Sequence, residues 1–254
     1  MDSMSDLFGS IIEAEEETFT FGSHTMRLLC VHGENQNIEK FVPRVVWPSA
    51  EAVCLWLVEH PEELGGAAAS VVELGSGTGL CGLVAAQLCG RCVLTDGNDD
   101  SLDLLRENVE LNGLDAKCAV VGLQWGEDAA LPAVLAANEG GQHFDRCLAT
   151  DASAAGRALR ASRAPQALCP CALTPLSRVH AQVVYEPESV GPLLRSAYGL
   201  LRVGGELLLA NHKHRFDQLE ESMDKECGKM EWAKVERLPG LGDDAEICFY
   251  RMRR

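Results

Sequence analysis

Two carboxylates and three glycines are the residues of this chain whose spacing could do chemistry. Glu73 stands two residues before Gly75, and Gly75, Gly77 and Gly79 alternate with Ser76 and Thr78. Asp96 follows at the end of the next apolar run, Cys92-Val93-Leu94-Thr95. A glycine lets the backbone pass close to a bound molecule because no Cβ stands in the way. An acidic residue about 20 positions beyond such a turn is where a nucleotide-binding fold receives ribose hydroxyls. No Lys or Arg lies in the turn, and its G-x-G-x-G spacing is tighter than the G-x-G-x-x-G of a pyrophosphate site. Carboxylates at both ends with no cation between them suit an adenosine ligand without phosphates. An NAD-type site, or a plain tight connection in an α/β protein, would use the same local pattern.

The elements that must position these groups are readable around them. The apolar run Ser70–Leu74 reads as a buried strand, and Leu80–Leu88 continues with helical spacing. Strand, Gly-rich turn and helix form the first half of a βαβ unit, whose helix N-terminus offers unpaired N–H groups to a polar ligand. A second strand, Arg91–Thr95, delivers Asp96. An amphipathic helix over Asp99–Leu111 puts Leu102, Leu105 and Val109 on one face and ends at Asn112-Gly113. Strands are expected over Lys117–Leu123 and Phe144–Thr150, with a helix over Ala129–Asn138 between them. Trp125 follows the third strand directly and so lies on the ligand side of such a sheet.

Upstream, Thr18–Phe21 and Met26–Val31 read as a hairpin, after an acidic lead at residues 1–17 expected to be mobile or a short helix. Pro48 suits the first turn of a helix whose apolar side takes Ala52, Leu55 and Trp56, with Val53 and Leu57. Trp47, just ahead of it, is either core or a flank of the ligand. Downstream, a helix over 187–201, a strand over Glu206–Ala210, a helix over Arg215–Met230 and an antiparallel pair over Glu231–Leu238 and Ala245–Arg251 complete an α/β pattern.

With 254 residues, one α/β domain is the simplest count. The net charge of −16 disfavours nucleic acid as the main partner and favours a basic one. Eleven cysteines form no C-x-x-C pair, and with no signal-peptide pattern they point to free thiols in a reducing compartment, cytosolic or nuclear. No apolar run reaches membrane-spanning length.

Several pieces now stand in order: Val46-Trp47-Pro48-Ser49, Glu73–Leu80, Leu94-Thr95-Asp96, Asn108-Val109-x-Leu111-Asn112 and Leu123-Gln124-Trp125. Together they resemble the seven-β-strand methyltransferases called family 16, most of whose characterised members methylate protein lysines. The resemblance covers residue 18 to the C-terminus. It implies a Rossmann-like class I methyltransferase fold: a mostly parallel seven-stranded sheet with an antiparallel C-terminal hairpin and an N-terminal β-hairpin extension. It implies S-adenosyl-L-methionine as cofactor, no metal, and a protein lysine as acceptor, in a chain expected to act as a monomer. Features of both the calmodulin-lysine and the elongation-factor-2 branches are present. By this resemblance Glu73, Gly75, Ser76, Gly77 and Gly79 hold the methionine part, and Asp96 takes the ribose, with Asn98 beside it. Leu123 and Trp125 border the adenine, while Thr150 and Trp47 close around the cofactor. Asp151 and Tyr185 face the incoming lysine.

One departure stands out. The family's Asp-x-x-Tyr signature is split here, because the whole segment 152–182 stands between Asp151 and the Val183-Val184-Tyr185 that would complete it. Residues 152–182 carry four arginines and no acidic residue, and removing them restores Asp151-Val183-Val184-Tyr185. Closing such a loop costs about 3 kcal/mol of entropy, so the two halves can still meet. The segment is an inserted loop, a translated intron, or a substrate-recognition element. A silent cofactor-binding or scaffold module, and a small-molecule methyltransferase, are the competing functions.

Overall fold

A computed structural model of the chain describes residues 14–31, 44–150, 187–241 and 247–254. Its centre is a seven-stranded sheet, flanked on both faces by helices. In chain order the elements are β1 (Glu15–Phe21), β2 (His24–Cys30), α1 (Pro48–Glu59), β3 (Ser70–Leu74), α2 (Leu80–Leu88), β4 (Arg91–Asp96), α3 (Asp99–Leu111) and β5 (Cys118–Gly122). Then follow α4 (Leu131–Ala137), β6 (Phe144–Thr150), α5 (Pro187–Leu200), β7 (Leu201–His212), α6 (Lys213–Lys229), β8 (Lys234–Leu241) and β9 (Ile247–Arg253). The large sheet runs β5-β4-β3-β6-β7-β9-β8, and β1 with β2 makes a separate hairpin. Strands β3 to β7 are parallel to one another, whereas β9 is antiparallel to both β7 and β8.

The apolar character of β3 has a direct cause, since a strand covered by helices on both faces is apolar at nearly every position. Val71, Val72 and Leu74 are fully buried. One side of the sheet packs α1, α2, α3 and the hairpin, with Met26 and Leu28 fully buried. The other packs α4, α5 and α6, through residues such as Val134, Leu194 and Phe216. Helix α3 begins on a true cap, the Asn98 Oδ1 accepting the Ser101 N–H at 3.2 Å. Asp99 and Asp100 lie in its first turn. Both features offset the unpaired donors and positive end of the helix.

The structure departs from the sequence reading in several places. Strand β1 takes in Glu15–Glu17, three residues of the expected N-terminal lead, because their backbones pair with Cys30, Leu29 and Leu28. Leu55 points outward at 47% exposure, and Ser49 and Cys54 take inward positions of α1 instead. Strand β7 is more than twice as long as expected: it runs through Gly204-Gly205, where the pairing with β6 shifts register between Phe144 and Arg146. At that end of the sheet Glu206, buried, pairs with Arg146 at 3.5 Å and with Arg253. The segment 152–182, with Asp151 and Tyr185, lies outside the described residues.

Candidate cofactor site

The register of the sheet aligns the candidate residues before any side chain is considered. Leu74 pairs with Thr95 on one side and with Ala149 on the other, and Asp96 pairs with Gly122. Gly75, Asp96, Leu123 and Thr150 therefore stand in a row at the carboxyl ends of β3, β4, β5 and β6. Chain order reverses between β3 and β6. In open α/β sheets such a switch point opens the crevice where ligands bind.

Hydrogen bonds fix this row. The Ser76 N–H donates to the Thr95 carbonyl at 2.9 Å, and the Thr95 N–H donates to the Ser76 Oγ at 3.2 Å. The Thr95 hydroxyl donates to the Glu73 carbonyl at 2.7 Å. Asp96 then ties the turn to its own loop: its Oδ2 accepts the Gly77 N–H at 3.0 Å and its Oδ1 accepts the Asn98 N–H at 2.9 Å. Its carbonyl accepts the Leu123 N–H at 2.9 Å, which draws the end of β5 into the same assembly. Burial raises the Asp96 carboxyl above the usual range, and the N–H groups of Gly77, Asn98 and Gly97 pull it back. Gly75, Gly77 and Gly79 have φ of 69°, 52° and 88°, left-handed values that a side-chain-bearing residue adopts at a cost.

Glu73 sits deeper, only 3% exposed. Its Oε2 accepts the N–H of Gly82 in the first turn of α2, at 3.1 Å. Burial pushes its carboxyl up to about 8; hydrogen bonds from Ser76 and Gly82 oppose this, and the Asp96 charge adds to it. Gly82 is a residue that sequence reasoning missed. A Cβ there would lie 2.0 Å from Leu94 Cδ2 and 2.5 Å from Glu73 Oε2, so the glycine makes the seat for the carboxyl. Gly97 was missed too, and a Cβ on it would lie 2.6 Å from Gln124 Oε1, where the β4 and β5 loops close together.

The remaining candidates rim this row. Trp47 is half-buried in the cap position of α1, its carbonyl accepting the Ala50 N–H at 3.0 Å. The Cys81 thiol donates to the Ala50 carbonyl at 3.5 Å, joining that end of α1 to the start of α2 beside the turn. Leu123 is buried, and Trp125 is half-buried against the α5 side of the core. The next residue, Gly126, donates its N–H to Ser196 Oγ on α5 at 2.9 Å. Thr150 is half-buried and pairs with Ala210 of β7. Asn98 is exposed, and its side chain serves as the cap of α3. Among the described residues no group of His, Cys, Asp and Glu is arranged to hold a metal ion, and no helix is long and apolar enough to cross a membrane.

Sheet order, helix placement and the crevice at the switch point define a Rossmann-like class I methyltransferase fold. Solved structures carry the same architecture. A 16S rRNA N2 G1207 methyltransferase of T. thermophilus superposes with a TM-score of 0.56 at 15% identity, covering 95% of this chain and 51% of that one. An O-methyltransferase of Bacillus cereus gives 0.51 at 14% identity, covering 82% of each chain.

Over residues 31–152 the family resemblance read from the motifs is borne out by the sequence comparisons. Residues 31–152 match the family model Methyltransf_16, lysine methyltransferase. The mouse protein N-lysine methyltransferase METTL21A is 36% identical over 115 residues, 44% of this chain and 49% of that protein. The mouse histone-arginine methyltransferase METTL23 is 34% identical over 104 residues, 37% and 40% of the two chains. The Arabidopsis thaliana calmodulin-lysine N-methyltransferase is 39% identical over 70 residues, 27% and 22%. The chain thus spans about half the length of the METTL21A proteins it matches.

Proposed function

We propose that this chain is an S-adenosyl-L-methionine-dependent methyltransferase that methylates a lysine side chain of a protein. The observation that carries the proposal is the pairing of Asp96 with the glycine turn across the switch point, within the segment that matches the lysine methyltransferase model. The residues fit the cofactor. The turn has no Cβ at Gly75, Gly77 and Gly79 and no cation to attract phosphates, and the Asp96 carboxylate, an acceptor at two oxygens, is the group that would take the ribose hydroxyls beside its bonds to Gly77 and Asn98. Leu123 and Trp125 supply an apolar wall beside it.

Bound S-adenosylmethionine supplies a sulfonium methyl group. The protein has to hold an uncharged amine in line with it and keep water away, so orientation and desolvation are the main catalytic terms. Asp96 anchors the ribose end, the turn fixes the methionine end, and Trp47 and Thr150 shape the rim. Following the resemblance, Asp151 orients the acceptor amine and Tyr185 walls its channel. By resemblance of motifs, calmodulin and a translation factor are the candidate acceptors; the net charge of −16 by itself favours a basic partner and so speaks for the second over the acidic first. We place the protein in a reducing compartment, cytosolic or nuclear, which the nine free cysteines among the described residues support.

Asp96→Ala should abolish cofactor binding in a thermal-shift or calorimetric titration. Asp151→Ala should keep binding and lose transfer of labelled methyl to proteome lysines. Full activity of the Asp151 variant would refute its role. Cofactor binding by the wild type with no labelled acceptor would favour a silent binding module, and label confined to small molecules a small-molecule enzyme.

A further inference from the structure

The N-terminal hairpin is joined to the glycine turn by one side chain. Asn108, fully buried on α3, accepts the Leu29 N–H at its Oδ1, 2.7 Å away. Its Nδ2 donates to the Leu29 carbonyl at 3.2 Å and to the Thr78 carbonyl at 2.9 Å. One helical turn on, at the C-cap of α3, Asn112 repeats the two strand bonds of this pattern. Its Oδ1 accepts the Arg27 N–H at 2.9 Å and its Nδ2 donates to the Arg27 carbonyl at 2.7 Å. The two amides, a helical turn apart on one face of α3, pair with alternate residues of β2 as a neighbouring strand would. Only Asn108 also reaches the turn, and it does so at Thr78, between Gly77 and Gly79.

We propose that Asn108 is a positioning residue for the cofactor site, setting the Gly75–Gly79 turn in register with the hairpin so that ligand binding at the turn and docking of β2 are coupled. The proposal rests on the cofactor reading given above. Its physical basis is that all three partners of Asn108 are backbone groups of two different segments. A buried amide whose bonds are made fixes both segments, and without it three backbone groups lose partners. Coupling of this kind is reciprocal: what tightens the turn tightens the hairpin.

The test uses the full chain and S-adenosylhomocysteine. Backbone hydrogen exchange of the wild type should slow at Arg27 and Leu29 when the ligand is added, although neither residue belongs to the row of site residues. Asn108→Ala should raise the dissociation constant about tenfold or more, as expected for lost buried hydrogen bonds. Asn112→Ala, which removes hairpin contacts and a bond to the Asn108 carbonyl but leaves the Asn108 side chain and its bond to the turn, should leave it within about threefold. Equal losses in the two variants, or unchanged exchange in the wild type, would overturn the coupling. If the Asn108 variant does not fold, the wild-type exchange decides alone. A wild type that binds no S-adenosylhomocysteine would sink the cofactor reading itself, a result distinct from ligand binding without coupling.

Discussion

Replacing Gly82 by alanine separates local helix propensity from the seat built for Glu73. In an isolated helix the change Gly→Ala would stabilise by about 1 kcal/mol. Here the new Cβ would lie 2.0 Å from Leu94 Cδ2, and Leu94 is fully buried, so it must repack within the core. Overpacking of that kind costs roughly 1–3 kcal/mol. The same Cβ would lie 2.5 Å from Glu73 Oε2, displacing the carboxyl from the Gly82 N–H. Stranding these buried polar groups costs roughly another 1–3 kcal/mol. The net expectation is a loss of about 3 kcal/mol, or a Tm lower by about 6–12 °C for a domain of this size. Circular dichroism melts with a parallel urea titration would measure it. A Gly82→Ala protein as stable as the wild type, or more so, would refute the seat, because propensity would then have won.

Buried charge gives two further tests. Glu73 ionises near 4.5 when unfolded but only at about 8 when folded, through burial, so between those values the folded chain holds the extra proton. Stability from this group is complete below about pH 4.5 and falls as pH rises toward 8. The charged and titratable neighbours are Asp96 and the thiols of Cys54, Cys92, Cys118 and Cys147; the thiols stay protonated across that window. Glu73→Gln should therefore flatten the decline of Tm with pH, and an undiminished slope would count against the assignment. At the opposite end of the sheet, Glu206→Ala leaves the largely buried Arg146 without its carboxylate partner. The expected loss is about 3 kcal/mol by urea denaturation, with cofactor affinity unchanged since the site lies at the other end of the strands.

What could be read from the sequence was whatever a local pattern encodes. Strand β3 and helix α2 fall where their apolar runs place them, because burial on all sides leaves an unbroken signature, and β6 falls where Phe144 and the run Cys147–Ala149 place it. Gly75, Asp96, Leu123 and Thr150 were found as separate motifs, and sheet register explains why they belong together. The features that escaped are those set by distant partners. Gly82 looks like an ordinary glycine inside a helix until Leu94 and Glu73 close on it. Gly204-Gly205 reads as a break, yet β7 passes through because a shift in pairing with β6 absorbs it. Leu55 followed the helical period but faces outward, since the sheet covers a different sector of α1 than composition alone selects. Asn108 stands in a recognisable motif, but its bonds to Leu29 and Thr78 span 79 and 30 positions of chain, beyond any window.

The interleaving of the last strands has a consequence for biogenesis. Among the described residues strand β8 pairs with β9 alone, and β9 inserts between β8 and β7. During synthesis β8 therefore emerges before the strand it needs, and β7 waits with a bare hydrogen-bonding edge until β9 arrives. An open edge of this kind invites pairing with another chain. The sheet can be finished only after β9 has left the ribosome, so the newborn chain depends on a protected interval between making β7 and closing it.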